Sequence, residues 1–381
     1  MNGAFSRRAM LGAAGGLGLT AAVGVSGSAA AAAVAGKPGE DIQLHRDGSY
    51  AVVPLAKESW TLGVAQARSL PVDLARVDAS RAENLKHMIG LIDAAFAFGS
   101  GPDLLMFHEF PITGFGAGWT RKDVLKVAIE IPGIETQALS AKARQYGVYL
   151  VFGSYARDPA WPGHALSITT IIGPDGAILA RDWKARNIKG AFGGEIELYT
   201  TTIYDVLDRY VEMYGRDAVV PVVRTPIGNL ATSSVQREPE LFRAMAIKGA
   251  EVILRTATGG FSQGDVAMTS LYNGVYTAVA NNAISPGSPF FEDTNAGNSA
   301  IYGPDGEVLS IAKSPNETLV QTRIPIGAFR ARHRQPTLHP QLYLDVLNGY
   351  TPRYPPNLFQ DYVPTDMKDA GRYLRDKGVW K

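Results

Sequence analysis

Two segments of this chain share an uncommon pattern. Ile171 to Leu179 reads IIGPDGAIL, and Ile301 to Leu309 reads IYGPDGEVL. Each is an apolar run, a Gly-Pro-Asp-Gly turn and a second apolar run. Proline presets φ at one turn position and glycine accepts φ above zero at another, so each segment specifies a hairpin. Alternating strand and helix patterns precede both hairpins. The repeat therefore predicts two related halves that face each other.

The intervening pattern supports a layered α/β fold. Trp60 to Ala67 (WTLGVAQA) alternates as a strand does. Ser80-Arg81-Ala82-Glu83 has the form of a capping box. Behind it, Leu85, Met88, Ile89, Ile92 and Phe96 line one helical face. Asp103 to Phe107 (DLLMF) reads as a short buried strand, Ile134 to Tyr146 as a helix and Val148 to Ser154 as a strand. Between Ala191 and Arg216 the pattern breaks. Gly193-Gly194 suggests a hinge, and Ile203, Leu207, Tyr210, Val211 and Tyr214 form an apolar stripe opposite Asp205, Asp208, Arg209 and Glu212. Strands are expected at Val219 to Val223, Leu230 to Ser234 and Val252 to Leu254, and a helix from Glu238 to Lys248.

The composition is globular, with 46% apolar and 19% charged residues. A net charge of +1 gives no reason to expect nucleic acid or an anionic membrane as partner. There is no cysteine, which removes disulfides, thiolate metal sites and any thiol nucleophile. The six histidines are scattered, without a metal-ligand spacing, and no metal or cofactor is expected. Arg7-Arg8 stands directly before a Gly/Ala-rich apolar run, followed by small residues with A-x-A cleavage options. Residues 1–36 thus read as a twin-arginine export signal, implying a periplasmic or secreted protein that leaves no membrane segment behind. A lead-in (37–59), a main domain (60–330, with an insertion at about 187–217) and a C-terminal arm (331–381) complete the expected organisation. From Thr351 on, the arm reads as extended.

Three segments can carry chemistry. Glu109 follows the DLLMF strand, where apolar neighbours would suit it to act as a general base. Lys184 follows the first hairpin and could stabilise an oxyanion or pair with a carboxylate. Ser233 lies where a strand ends in a sharp turn before a helix that starts near Pro239.

These segments, in this order, resemble the nitrilase (carbon–nitrogen hydrolase) superfamily. The resemblance is carried by Glu109-Phe110-Pro111-Ile112-Thr113-Gly114-Phe115, by Lys184 after the G-P-D-G hairpin, and by Pro239-Glu240-Leu241-Phe242-Arg243 with Ala246, Gly249-Ala250-Glu251 and Ile253. Ala278 to Asn282, Asn298-Ser299-Ala300 and the second G-P-D-G extend it, over about residues 60–330. It implies an αββα sandwich that forms four layers across a homodimer or larger homo-oligomer. It also implies hydrolysis or condensation at carbon–nitrogen bonds of a small amide- or nitrile-like molecule, without metal or cofactor. Glu109, Lys184 and the position of Ser233 would be the catalytic set.

Two departures stand out. The family nucleophile is a cysteine, whereas this chain has Ser233, with Ser234 beside it as a fallback. A second family glutamate is replaced by Ala156. A serine hydroxyl is a much weaker acid than a thiol and ordinarily needs a well-oriented base. A pocket that binds without catalysing is therefore the alternative. A third reading, a serine esterase, rests on Gly260-Phe261-Ser262-Gln263-Gly264, a G-x-S-x-G match.

Overall fold

Alternating strand and helix patterns resolve into two six-stranded sheets packed face to face. The computed structural model describes residues 42, 44–187, 199–288, 290, 292 and 296–380. The export-signal segment, Gly193-Gly194 and the start of the insertion lie outside the described residues. The first half contains β1 (Trp60–Gln66), α1 (Val77–Phe96), β2 (Leu104–Met106), α2 (Arg121–Val127), α3 (Ile134–Tyr146), β3 (Tyr149–Ala156), β4 (Leu166–Ile172) and β5 (Ile178–Trp183). Helix α4 (Leu207–Tyr214) leads to β6 (Val223–Thr225), β7 (Gly228–Ser233), α5 (Pro239–Ile247), β8 (Val252–Thr256), α6 (Gln263–Asn273), β9 (Tyr276–Ala280), β10 (Ala300–Tyr302) and β11 (Val308–Ile311). The chain ends with β12 (Thr318–Ile324), α7 (Ile326–Arg332), α8 (Leu344–Gly349) and α9 (Met367–Lys377).

One sheet has the order β12-β1-β2-β3-β4-β5 and the other β11-β10-β9-β8-β7-β6. Within each, three strands run parallel, β1-β2-β3 in one and β7-β8-β9 in the other. A hairpin extends one side of each trio and a single antiparallel strand the other. The two Gly-Pro-Asp-Gly turns join β4 to β5 and β10 to β11, so the sequence repeat is a repeat of topology. Each hairpin carries a register shift at the equivalent place, Ile171/Ile172 and Ile301/Tyr302.

Apart from the partly exposed edge strands β11 and β12, each sheet is buried on both faces, which explains near-continuous apolar strands instead of strict alternation. Leu62, Val64, Leu104, Met106 and Val151 meet Leu230, Val252, Leu254, Ala278 and Ile301 between the sheets. Met88, Ile92, Leu139 and Ala143 cover the outer face of the first sheet, and Phe242, Met245 and Ala246 that of the second. The molecule is thus an α/β sandwich with helices outside both sheets.

Several expectations are corrected. Helix α1 begins at Val77, a turn before the capping box, and Arg76 makes no side-chain cap. Ser80 instead lies inside the helix, where its hydroxyl accepts from the Asp73 amide at 3.1 Å. The buried stripe of α1 is Ser80, Asn84, Met88 and Ile92. Asn84 faces inward because its side chain bonds both the Leu70 amide and the Leu70 carbonyl. In the insertion, Asp205 is buried rather than solvated and accepts from the amide and hydroxyl of Thr202. Val219 sits in a 3-10 turn, and the strand there starts only at Val223. The segment after Thr351 contains α9, and Tyr354, Leu358, Phe359, Ala370 and Leu374 are buried in the main core. Aromatic side chains read as an arm are therefore packed structure.

Candidate active site

Glu109 emerges just past β2, on a backbone that passes very close to β3. The Gly153 amide donates to the His108 carbonyl at 3.0 Å. A Cβ on Gly153 would sit 2.4 Å from the Glu109 carbonyl oxygen and 2.7 Å from its Cα. Only glycine allows that approach, so Gly153 sets where Glu109 lies. The preceding residue, His108, is fully buried, and its Nδ1 accepts from the Phe110 amide at 3.2 Å. Burial pushes its pKa down to about 3, so the ring stays neutral. Its Nε2 then carries the proton and faces the Ser69 hydroxyl at 3.4 Å. The turn that presents Glu109 is thus clamped from within.

Lys184 follows β5 directly. Its backbone amide donates to Ser167, and its carbonyl accepts from Ile203 of the insertion. Its ammonium reaches the Glu109 carboxylate at 3.1 Å, and both side chains are almost wholly buried. Two charges taken out of water persist only when paired and hydrogen-bonded, and these two satisfy each other.

Ser233 is the last residue of β7 and is also buried. Its hydroxyl oxygen accepts from the Val235 amide at 3.1 Å, a local turn typical of serine. Two links across the sandwich bring this strand end to the same end of the molecule as Glu109 and Lys184. The Glu109 amide contacts the carbonyl of Ala257, which follows β8, the neighbour of β7. The Thr232 hydroxyl donates to the Asp182 carboxylate at 2.6 Å, joining residues adjacent to Ser233 and two before Lys184.

The other sequence candidates find different places. Ser262 caps the N-terminus of α6, its hydroxyl accepting from the Asp265 amide, which is a structural role. Ser234 is half-buried beside Ser233. Ala156 is buried at the end of β3 opposite Leu166.

Some groups near the site escaped the sequence reading. Asp182 lies between the sheets, and burial raises its pKa to about 6, partly opposed by the Thr232 hydrogen bond. Arg255 sits on β8 as the register partner of Ser233. Its signal was present in the sequence: a charged residue in the otherwise apolar run VILRT belongs in a buried strand only if it has a partner. Chemically, the arrangement offers a buried carboxylate, an ammonium touching it and a hydroxyl held by a backbone amide. These are the components of base-assisted nucleophilic attack on a carbonyl or nitrile carbon.

The carbon-nitrogen hydrolase family model matches residues 61–334. A bifunctional nitrilase/nitrile hydratase from Lupinus angustifolius is 27% identical over 220 residues, covering 52% of this chain and 57% of that protein. The chain thus spans little more than half of that relative's length. An omega-amidase from Danio rerio is 25% identical over 257 residues, covering 66% of this chain and 85% of the relative. Among solved structures, Saccharomyces cerevisiae Nit3, a nitrilase-superfamily member, superposes with a TM-score of 0.58 at 16% identity, covering 73% of this chain and 96% of that one. An amidase from Nesterenkonia sp. AN1, with an acetamide moiety joined to that enzyme's active-site cysteine, superposes at 0.54 with 18% identity, covering 80% of this chain and all of that one. The structural likenesses establish a shared fold.

Proposed function

We propose, on the premise that this chain belongs to the carbon–nitrogen hydrolase family, that it cleaves non-peptide carbon–nitrogen bonds of small amides or nitriles. The observation that carries the reading is the buried contact between Lys184 and Glu109 at 3.1 Å, at the same end of the sandwich as the last residue of β7, Ser233. In an amide, the Ser233 hydroxyl oxygen attacks the carbonyl carbon while Glu109 takes its proton. Lys184 steadies the negative charge that develops on the former carbonyl oxygen. The carbon–nitrogen bond then breaks, and the leaving amine receives the proton. Water, deprotonated by Glu109, hydrolyses the resulting ester and restores Ser233. A hydroxyl is harder to ionise than a thiol, so turnover is expected to be slow for this machinery.

A second reading, a pocket that binds such molecules without cleaving them, is favoured by Ser233 and Ala156 in place of the family's cysteine and second glutamate. The deciding experiment is a screen of the mature protein and its Ser233→Ala variant against small amides, nitriles and esters. Activity that disappears in the variant supports Ser233 chemistry, and inactivity of both favours binding alone. Ser233→Cys should raise amide hydrolysis if the pocket retains its electrostatics.

The twin-arginine pattern supports export, and replacing Arg7 and Arg8 by lysine should retain the precursor in the cytoplasm. Assembly as a dimer, which would join two such four-layer sandwiches, is supported by exposed Met268, Leu271 and Tyr272 on α6 and exposed Leu342, Leu344, Val346 and Leu347 around α8. Light scattering that returns the mass of a single chain would dismiss it.

A further inference from the structure

The turn after Ser233 is held by an ionic brace whose parts come from β8 and the start of α6. Arg255 donates from Nη2 to the Val235 carbonyl at 3.0 Å and to Asp265 at 2.6 Å. Its Nη1 donates to the Thr269 hydroxyl at 3.2 Å, and its guanidinium lies over the Phe242 ring, 4.4 Å from the centroid. The guanidinium is nearly inaccessible to solvent, so its orientation is set by these partners. The same oxygen of Asp265 accepts from the Arg237 amide at 3.1 Å. Arg237 has φ +55°, a conformation that costs a non-glycine residue energy and persists only when neighbours impose it. A third clip is the Gln236 side chain, which donates to the Gly260 carbonyl and accepts from the Ser262 amide. Val235 is thus tied to Arg255, Arg237 to Asp265, and Gln236 to the Gly260-Phe261-Ser262-Gln263-Gly264 segment.

We propose that Arg255 and Asp265 are positioning residues, which hold this turn so that the Val235 amide stays aimed at the heteroatom of residue 233. The amide donates to that oxygen at 3.1 Å, and a donor fixed there favours a negatively charged nucleophile over its protonated form. The strained Arg237 conformation gives the turn a tendency to relax, and Asp265 opposes it by binding the Arg237 amide and Arg255 together. Val235 is gripped at both ends of its peptide, with its carbonyl on Arg255 and its amide on Ser233. The G-x-S-x-G segment therefore serves the site as a clamp, with Ser262 contributing its backbone amide and helix cap.

The proposal rests on reading position 233 as the nucleophile's place, yet it can be tested without any hydrolysis. The chain has no cysteine, so Ser233→Cys creates a single thiol whose alkylation by iodoacetamide across pH reports its ionisation. With the brace intact, the thiol should ionise below the ordinary value of about 8.5. Adding Asp265→Ala should slow alkylation near neutral pH about tenfold, one pK unit upward. Charge alone predicts the opposite sign, because removing a nearby carboxylate makes a thiol more acidic. Arg255→Lys keeps the charge but not the fork, and should slow the reaction as well. Gln236→Ala removes only the outer clip, leaves the fold intact and should slow it by less. Circular dichroism and the thermal transition confirm folding of each. An ordinary thiol in Ser233→Cys overturns the proposal. So does alkylation in folded Asp265→Ala, or in Gln236→Ala should the former not fold, that is as fast as in the parent. An activated, brace-dependent thiol in a protein that hydrolyses no amide upholds the brace and removes the hydrolytic reading instead.

Discussion

Asp182→Asn should make this protein more stable at neutral and alkaline pH and leave it unchanged in acid. The carboxyl is enclosed between the two sheets, and its pKa is raised from 3.8 to about 6, mainly by burial. A raised carboxyl pKa means the folded state holds the proton more tightly than the unfolded chain. Below about pH 3.8 both states are protonated and the group has no effect. Between there and about pH 6 stability falls, and above that the full penalty persists. The shift is 6 − 3.8, about 2 units, and at 1.36 kcal/mol per unit this amounts to about 3 kcal/mol. Asparagine keeps an oxygen for the Thr232 hydroxyl, which donates at 2.6 Å, but carries no charge. Chemical denaturation of both proteins at pH 8 and pH 4 isolates this group, because every other titration cancels in the difference. A stabilisation of about 2–3 kcal/mol at pH 8 that shrinks to about 0.5 kcal/mol at pH 4 is expected. Equal effects at the two pH values, or a loss at pH 8, would refute the assignment of a buried, proton-retaining carboxyl.

Two buried histidines act with the opposite sign. The pKa of His108 is pushed down to about 3 and that of His164 to about 4, both mainly by burial, so their stability contribution is complete above pH 6.5 and lost as pH falls. In the Asp182→Asn background, these two groups should lower stability by up to about 2.7 kcal/mol for each pH unit of acidification near pH 5, with His333, whose pKa burial also lowers, adding to the loss; a flat profile would contradict it. Arg330→Met should cost about 3–5 kcal/mol by denaturant titration. It removes both guanidinium bonds, each 2.7 Å, from the fully buried Glu251 and leaves that carboxylate only the Tyr50 hydroxyl and the Asn229 amide. Gly153→Ala drives a methyl group to 2.4 Å from the Glu109 carbonyl and should cost about 1–3 kcal/mol. Since it displaces Glu109, it should also lower any hydrolysis at least about tenfold, and unchanged kinetics would show that Gly153 does not set that residue's place.

Near-neighbour chemistry made much of this molecule readable in advance. The turn preferences of Gly-Pro-Asp-Gly reside in four consecutive residues, so both hairpins and the two-half repeat follow from the chain alone. The same holds for Pro239 at the start of α5. Glu109, Lys184 and Ser233 could be picked out because each directly follows a strand or ends one, and strand ends are visible in the apolar pattern. What the sequence could not convey is which of these ends meet. Burial and pairing are set by residues far apart in the chain: the Lys184–Glu109 contact joins different strands, and Asp182 becomes a buried acid only when the second sheet brings Thr232 against it. Ser262 looked like a nucleophile because a five-residue pattern carries no information about the helix it caps. The aromatics after Thr351 looked like an arm because the core they enter is built more than a hundred residues earlier. Arg255 shows the division most clearly: a lone charge in an apolar strand announces that a partner must exist, but only the packing of α6 against β8 supplies Asp265, because a desolvated guanidinium is tolerable only where the fold closes an anion onto it.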